Sequence, residues 1–315
     1  MRRGFVLAIL IVCVGASIPA TAYREALQQA ARPQLPPPGV VEVGKVRDNL
    51  FVLKGGGGNT GMFVTSTGVV VVDTKYPGWG RPILEKIKTL TDKPVTMIIN
   101  THSHGDHVSG NVEFPATVDV VVQENTKANM ERMERREPRP TETRESLDLF
   151  KVNNYRGMPK RTFKDRMSIG RGVEQIDLYY FGIGHTNGDT WVVFPALRVM
   201  HAGDMFPGKS LPNIDLVNGG SGLEWGNTLA RVHAGVKNVD TIITGHSSLM
   251  TMDDLRMHSD FLRDLAMAVR EGKKSGKTVD EVSQSWQVPA KYPGYPKPRP
   301  EQLRTPVQFM FDELK

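Results

Sequence analysis

The chain has 315 residues, among them 40 Lys and Arg, 34 Asp and Glu, eight His and one Cys. A hydrophobic content of 39% and a charged content of 23% are ordinary for a globular protein and exclude a disordered chain or an integral membrane protein. The single cysteine excludes an intramolecular disulfide and a thiolate metal cluster. The net charge of +6 arises from basic residues interleaved with acids, which indicates a solvated surface and no nucleic-acid partner.

The first 22 residues have the pattern of a secretory signal peptide. Arg2 and Arg3 precede a ten-residue apolar run over 5–14, and a small-residue triplet closes the segment at 20–22. Ten apolar residues are too few to span a bilayer, which takes roughly 18 or more. We therefore expect cleavage after Ala22, an exported (periplasmic or secreted) protein, and no stable membrane anchor after cleavage. Cleavage would also remove Cys13, the only thiol, and reduce the net charge to +4.

The remaining chain predicts an α/β protein. Residues 23–39 form a Pro-rich leader, and the globular part is expected to start near Val40. Short β-branched runs predict strands at 40–43, 50–53, 62–65, 69–72, 95–99 and 118–122, and apolar spacing of three and four predicts a helix at 82–90. The second half predicts strands at 175–181, 190–194, 198–201 and 241–243, and helices at 224–236 and 253–270. This alternation predicts two sheets packed face to face beneath outer helices.

Two segments lie outside this alternation. Residues 125–166 are long, charge-dense and interrupted by proline, which predicts an insert or active-site lid. Residues 271–315 form a C-terminal helical extension, with a helical pattern at 279–286 and a closing segment at 301–314. We expect substrate selectivity to lie in the insert and in the tail around Tyr292 and Tyr295.

A cluster of metal-ligating side chains follows the predicted strand at 95–99. His102, His104, Asp106 and His107 fall within six positions, and Gly105 permits a turn between the two pairs. Residues two apart in an extended segment project the same way, so His102 and His104 can bind one cation while the second pair turns toward another. A group of surface histidines is the alternative, but three of only eight histidines in six positions favour a metal site.

Further candidate ligands lie in the second half, each in a glycine-bearing loop at a predicted strand end. They are His185 in Gly-His-Thr, Asp204 in Ala-Gly-Asp and His246 in Gly-His-Ser.

Taken in order, the motifs resemble those of the metallo-β-lactamase superfamily over about 40–270: His-Ser-His-Gly-Asp-His, Gly-His-Thr-Asn-Gly-Asp-Thr, Ala-Gly-Asp and Gly-His. The resemblance implies that family's four-layer αβ/βα sandwich, with two mixed sheets. It also implies two zinc ions. The first would be held by His102, His104 and His185, and the second by Asp106, His107 and His246. Asp204 would bridge the two ions.

The resemblance further implies a hydrolase with two Zn²⁺ ions per chain, in which a metal-bridging hydroxide attacks an ester, lactone, thioester or amide carbonyl. Asp106 would be catalytic as well as a ligand, because it would orient this hydroxide. The residual positive charge of such a centre favours a small-molecule substrate that is anionic. Iron or manganese are the alternative metals.

The acid at Asp204 distinguishes branches of the family. It resembles glyoxalase-II-like and lactonase-like members, whereas the β-lactam-hydrolysing branches generally place a Cys or a non-ligand there. A β-lactamase stays open because export would bring the enzyme to such drugs, and so does an iron-dependent sulfur dioxygenase of the same fold. A non-enzymatic metal-binding protein is disfavoured by the complete ligand set, and a nuclease by the lack of a basic and aromatic stripe in the sequence.

Several other residues have structural interpretations. Asp73, at a strand end, either supports the metal loop or caps a turn. The glycine run at 55–58 lacks the features of a phosphate-binding loop and predicts a mobile hairpin, which would serve as a flap if it overhangs the metals. We expect His201, His233 and His258 to be framework residues, with His201 close enough in sequence to support a ligand.

Overall fold

A computed structural model describes residues 41–138 and 142–314. The predicted signal peptide and the Pro-rich leader lie outside these residues. The first sheet of the described chain has its strands in chain order, antiparallel from β1 to β4 and parallel from β4 to β7. These strands are β1 (Glu42–Arg47), β2 (Leu50–Lys54), β3 (Thr60–Val64), β4 (Val69–Val72), β5 (Val95–Ile99), β6 (Asp119–Gln123) and β7 (Arg161–Phe163).

The second sheet is built from the later strands. They are β8 (Arg166–Ile169), β9 (Ile176–Tyr179), β10 (Trp191–Phe194), β11 (Val199–His201) and β12 (Thr241–Ile243). The sheet order is β12-β11-β10-β9-β8, with β11 and β12 parallel and the other pairs antiparallel. Strands β9, β11 and β12 therefore run in the same direction and end at the same edge.

The described chain has nine α-helices outside the two sheets. They are α1 (Gly80–Lys88), α2 (Gly105–Val108), α3 (Glu124–Arg132), α4 (Arg144–Leu147), α5 (Leu149–Val152), α6 (Gly222–Gly235), α7 (Met252–Lys274), α8 (Val279–Ser285) and α9 (Pro300–Glu313). Side-chain caps fix where the longest of them begin. The Ser221 hydroxyl accepts a hydrogen bond from the Glu224 amide at the start of α6, and Thr251 forms a capping box with Asp254 at the start of α7.

Apolar residues alternate between two faces of each sheet, and this alternation creates the layers. Phe63 of the first sheet and Phe194 of the second meet in the inner core, with ring centroids 5.0 Å apart. Ile83 of α1 packs on the outer face of the first sheet, and Leu229 of α6 packs on that of the second. The predicted four-layer α/β sandwich is confirmed.

The structure differs from the sequence-based expectations in the insert and in the tail. Strand β7 lies within 125–166 and pairs with β6, so part of this segment belongs to the first sheet. Its three residues, like the four of β8, are too short and too polar to produce a recognisable pattern. The C-terminal extension also packs into the main core, through Leu303 and Val307 of α9.

Tyr292 and Tyr295, around which we expect substrate selectivity, lie in the core. Both side chains are buried. The Tyr292 hydroxyl donates to Asp264 Oδ2 (2.7 Å), and the Tyr295 hydroxyl lies 2.8 Å from Nδ1 of His258. These two aromatic rings attach the tail to α7 and contribute to the core.

Among the described residues, every helix is too short or too polar to cross a membrane.

Candidate metal centre

The seven candidate ligands lie together where the strands of both sheets end. His102, His104, Asp106 and His107 follow β5, whereas the other three follow β9, β11 and β12. They form two groups, and within each group the candidate ligand atoms all lie within 4.8 Å of one another. The first group contains His102, His104, His185 and Asp204, and the second contains Asp106, His107 and His246.

The hydrogen bonds of His102 leave one ring nitrogen directed at the first group. Thr101 donates its hydroxyl proton to Asp73 Oδ2 (2.7 Å), so its oxygen accepts from Nδ1 of His102 (3.0 Å). Nε2 of His102 then carries a lone pair. This atom is buried and has no hydrogen-bond partner among the described residues. A buried orphan of this kind is costly unless a cation meets it.

His104 and His185 have the same arrangement, with the far nitrogen held by the protein. His104 donates from Nε2 to Asp215 Oδ2 (2.7 Å), and His185 donates from Nδ1 to the Asn213 carbonyl (2.6 Å). Their remaining nitrogens, Nδ1 of His104 and Nε2 of His185, face each other at 3.1 Å. Two lone pairs this close repel each other, so the geometry fits a cation between them.

The second group is built around His107. Its Nδ1 donates to Asp73 Oδ2 (2.7 Å), which turns Nε2 toward Asp106 Oδ2 (3.4 Å) and His246 Nε2 (3.3 Å). Asp106 Oδ2 also lies 3.2 Å from His246 Nε2. Two imidazoles and a carboxylate thus converge on one point.

Asp204 lies between the two groups. Its Oδ1 is 3.3 Å from His107 Nε2 and 3.1 Å from His246 Nε2, while its Oδ2 is 3.7 Å from His185 Nε2. One carboxylate therefore faces ligand atoms of both groups.

The electrostatics of the second group also fit a cation. Burial alone would raise the pKa of Asp106 and Asp204. The charge of His107 and hydrogen bonds with His107 and His246 hold the pKa of Asp106 well below its usual range, and the charges of His107 and His246 do the same for Asp204. Burial lowers the pKa of His246, yet Asp204 and hydrogen bonds with Asp106 outweigh it and raise that pKa to about 9. The acids therefore stabilise positive charge at this point, which bound metal would supply as protons leave.

His102 shows the opposite effect. Burial and the neighbouring His107, His104 and His185 lower the pKa of His102 well below its ordinary value. It is neutral at physiological pH and keeps its Nε2 lone pair, as a metal ligand must. The donor set of nitrogen and carboxylate oxygen suits zinc, iron or manganese.

Asp73 and Asp215 fix the rings of two candidate ligands, His107 and His104. Asp73 accepts hydrogen bonds from the Thr101 amide (2.8 Å), the Thr101 hydroxyl and His107. Of its two interpretations, support of the metal loop is therefore the one that the structure favours. Asp215 holds His104, but it lies 111 residues away in sequence. No motif marks Asp215, and only the closing of the fold brings it to the site.

The fold and the site together define a class, that of α/β sandwich proteins with a histidine and aspartate metal centre at the edge of two sheets. Residues 53–246 match the metallo-β-lactamase superfamily. The chain is 25% identical over 221 residues to a metallo-β-lactamase type 2 from Elizabethkingia meningoseptica, covering 65% of this chain and 78% of the relative. A relative of the same name from Bacillus cereus is 22% identical over 186 residues, covering 59% of this chain and 65% of the relative.

Solved structures share the fold. A metallo-β-lactamase from Pontibacter korlensis superposes with a TM-score of 0.57 at 20% identity, covering 71% of this chain and 99% of that one. The sec-alkylsulfatase Pisa1 from Pseudomonas sp. superposes with a TM-score of 0.62 at 14% identity, covering 87% of this chain and 50% of that one. Because the family match spans more than half of the sequence, the protein belongs to the metallo-β-lactamase superfamily. It is a metal-dependent hydrolase.

Proposed function

We propose that the protein is a dizinc hydrolase that cleaves an ester, lactone, thioester or amide at its carbonyl carbon. The observation that carries the proposal is the position of Asp204, whose two oxygens face both ligand groups. A carboxylate shared in this way offsets the repulsion between two cations and links them into one centre.

The proposed ligand assignment follows the two groups. His102 Nε2, His104 Nδ1 and His185 Nε2 would hold the first zinc ion, and Asp106, His107 and His246 would hold the second, with Asp204 shared. Bound zinc supplies a water nucleophile that is active near neutral pH and polarises the carbonyl under attack.

The chain's own side chains provide orientation. Asp73 and Asp215 fix the rings of His107 and His104 through hydrogen bonds of 2.7 Å. The remaining ring nitrogens are therefore oriented for metal binding in the metal-free protein. The Asp106 side chain is 16% exposed and lies at the open side of the centre. Asp106 would therefore orient the attacking water as well as bind metal.

We also propose the physiological setting. The N-terminal pattern supports export to the periplasm or beyond, and the charge left by two divalent cations and two acids supports a small anionic substrate. Signal cleavage after Ala22 is tested by determining the N-terminus of the protein recovered from the medium or periplasm.

A β-lactamase is the second candidate, and the sequence relatives named above favour it. Asp204 weighs against it, because it places an acid where those branches generally have a Cys or a non-ligand. Nitrocefin hydrolysis by purified, zinc-loaded protein decides between the two, since sustained turnover of nitrocefin but of no other carbonyl substrate would replace the first proposal with the second.

The direct test of the proposal is a substrate panel run beside elemental analysis. We expect two zinc ions per chain and zinc-dependent turnover of at least one lactone, ester, thioester or amide. A secondary alkyl sulfate belongs in the panel, because its cleavage would indicate chemistry outside carbonyl substrates. Iron at about one per chain with persulfide oxidation would establish the dioxygenase alternative instead, and turnover retained at full zinc depletion would contradict the proposal.

A further inference from the structure

A hairpin made almost entirely of glycine lies against the second ligand group. It connects β2 to β3 and comprises residues 55–59, here termed the glycine hairpin. The Gly58 amide donates to the Asp106 carbonyl (3.1 Å). A Cβ atom on Gly57 would come within 2.8 Å of that same carbonyl, and one on Gly58 would collide with the His107 imidazole. The backbone of the glycine hairpin therefore rests directly on two candidate ligands.

The opposite flank of the glycine hairpin rests on Trp79. A Cβ on Gly56 would lie 2.6 Å from the indole, and the indole itself is buried. Only glycine allows the backbone to pass between an indole and an imidazole at this distance. Gly57 has in addition a φ of +95°, which other residues rarely adopt.

The last residue of the glycine hairpin is bonded to the loop that carries His246. The Asn59 amide donates to the Gly245 carbonyl (2.7 Å), and its side chain donates to the Thr244 and Ser247 carbonyls (2.9 and 2.8 Å). His201 accepts from the Gly203 amide at Nδ1, so its Nε2 donates to the Asn59 carbonyl (3.1 Å). His201 thus supports the glycine hairpin through this hydrogen bond.

The remaining attachment is Lys75, which has no part in the proposed chemistry. Its side chain is completely buried, which is rare for lysine, and Nζ donates to the Gly58 carbonyl (2.5 Å). Lys75 also has a φ of +68°, a strained value for a residue with a side chain. Such strain and burial persist only where surrounding contacts hold them in place.

The charge of Lys75 complements its surroundings. Burial lowers the pKa of Lys75 to about 8, while the carboxylates of Asp73 and Asp106 act in the opposite direction. The ammonium group is therefore mostly protonated at pH 7, and its bond to the Gly58 carbonyl is charge-assisted.

We propose that Lys75 is a positioning residue that holds the glycine hairpin as a fixed roof over Asp106, His107 and His246. Because Gly58 touches the Asp106 carbonyl and the His107 imidazole, a fixed roof also fixes the Asp106 backbone and the His107 ring. The inference rests on the proposed function only in taking this group as the second metal site.

The test uses the full-length, zinc-loaded protein and begins with amide hydrogen exchange. The Gly58 and Asn59 amides of the unmodified protein are expected to be protected, whereas a mobile flap would exchange them as fast as an exposed loop. In Lys75→Met the two amides should exchange about tenfold faster or more, since a charge-assisted hydrogen bond is lost. Zinc affinity at the second site should fall by about tenfold, with the first site unchanged.

Lys93→Met is the matched control. Lys93 Nζ donates to the Thr65 carbonyl at the same distance of 2.5 Å, but at an exposed position beside the turn that joins β3 to β4. This variant should leave exchange at 55–59 and zinc affinity unchanged. Unchanged exchange of Gly58 and Asn59 in folded Lys75→Met would overturn the proposal.

Gly58→Ala provides an independent variant should Lys75→Met fail to fold. If the glycine hairpin is fixed, the new methyl group displaces the His107 ring and lowers zinc affinity at the second site. If the hairpin moves away from His107, that affinity stays unchanged, and this outcome contradicts the proposal. Hydrogen exchange is measured without any substrate. If the carbonyl-hydrolase proposal is wrong, the exchange result still stands. If the roof proposal is wrong, the carbonyl-hydrolase proposal is unaffected.

Discussion

The two ligand groups differ in how far the protein encloses them. The His102 and His185 side chains have no exposed surface, whereas His246 exposes 37% of its side chain and Asp106 exposes 16%. In the first group each of the three imidazoles has its far nitrogen held by Thr101, Asp215 or the Asn213 carbonyl. The second group is covered from one side by glycine backbone.

This difference indicates a division of labour within one centre. A closed, pre-oriented set of nitrogen ligands loses little freedom on binding and holds its cation tightly. A set that reaches the surface exchanges its cation more readily and is the side that substrate meets. The following variants test that contrast, from the largest expected effect to the smallest.

Asp204→Asn should have the largest effect, because Asp204 faces both groups. The substitution keeps the shape of the side chain but removes the negative charge that the two proposed cations would share. We expect turnover to fall by about a thousandfold, which corresponds to roughly 4 kcal/mol of transition-state stabilisation. Steady-state kinetics at saturating zinc measure this, and near-normal turnover with two zinc ions bound would exclude a bridging role.

The pair His102→Ala and His246→Ala tests the contrast directly. His102→Ala should lower metal-dependent turnover by less than Asp204→Asn does, and it should bind at most one zinc ion, because it removes a ligand from the closed site. His246→Ala should lose only the weaker ion and retain the tighter one, since its group is partly exposed. Elemental analysis after dialysis gives both stoichiometries, and identical losses in the two variants would mean that the groups are equivalent.

Asp215→Asn tests whether pre-orientation contributes to the tight site. It weakens the grip on His104 without removing a ligand, and we expect zinc affinity to fall by about 10- to 100-fold. Asp177→Asn is the matched control. Asp177 lies on β9 and is a buried carboxylate that accepts hydrogen bonds from Ser168 and Gln175. Equal zinc affinities in the two variants would show that Asp215 does not help to position His104 for metal binding.

The pH dependence of zinc binding should be the mildest effect. Burial lowers the pKa of His246, but Asp204 and Asp106 raise it to about 9, so metal must displace a proton from His246 below that pH. Affinity at the second site should therefore rise by up to tenfold per pH unit between pH 6 and 8. A raised folded pKa also stabilises the metal-free fold below pH 6.5 and loses this contribution as pH rises through 9. Chelator competition at several pH values measures the affinity, and a flat profile would contradict the assignment.

The sequence predicted the fold, and it marked the seven side chains that the fold brings together, for physical reasons. Strands β4, β5 and β12 were placed with their observed bounds, because buried β-branched runs are unambiguous when flanked by turns. Glycine-bearing loops at strand ends marked His185, Asp204 and His246, which the fold brings together with the motif after β5.

The supporting residues could not be predicted in the same way. Asp215 lies in a loop without a pattern, and its contact with His104 exists only in the folded chain. Lys75 carries a charge that sequence rules assign to the surface, yet the glycine hairpin buries it completely. The position of that hairpin also depends on Trp79 and His107, which are distant from it in sequence.

Zinc titration of the metal-free protein, followed by chelator competition, tests the two-cation centre most directly. The proposed dizinc centre predicts two zinc ions per chain with distinct affinities, the weaker of which disappears in His246→Ala while the tighter is retained. A single zinc ion per chain, or two that are lost together in that variant, would contradict the closed and open division of the site.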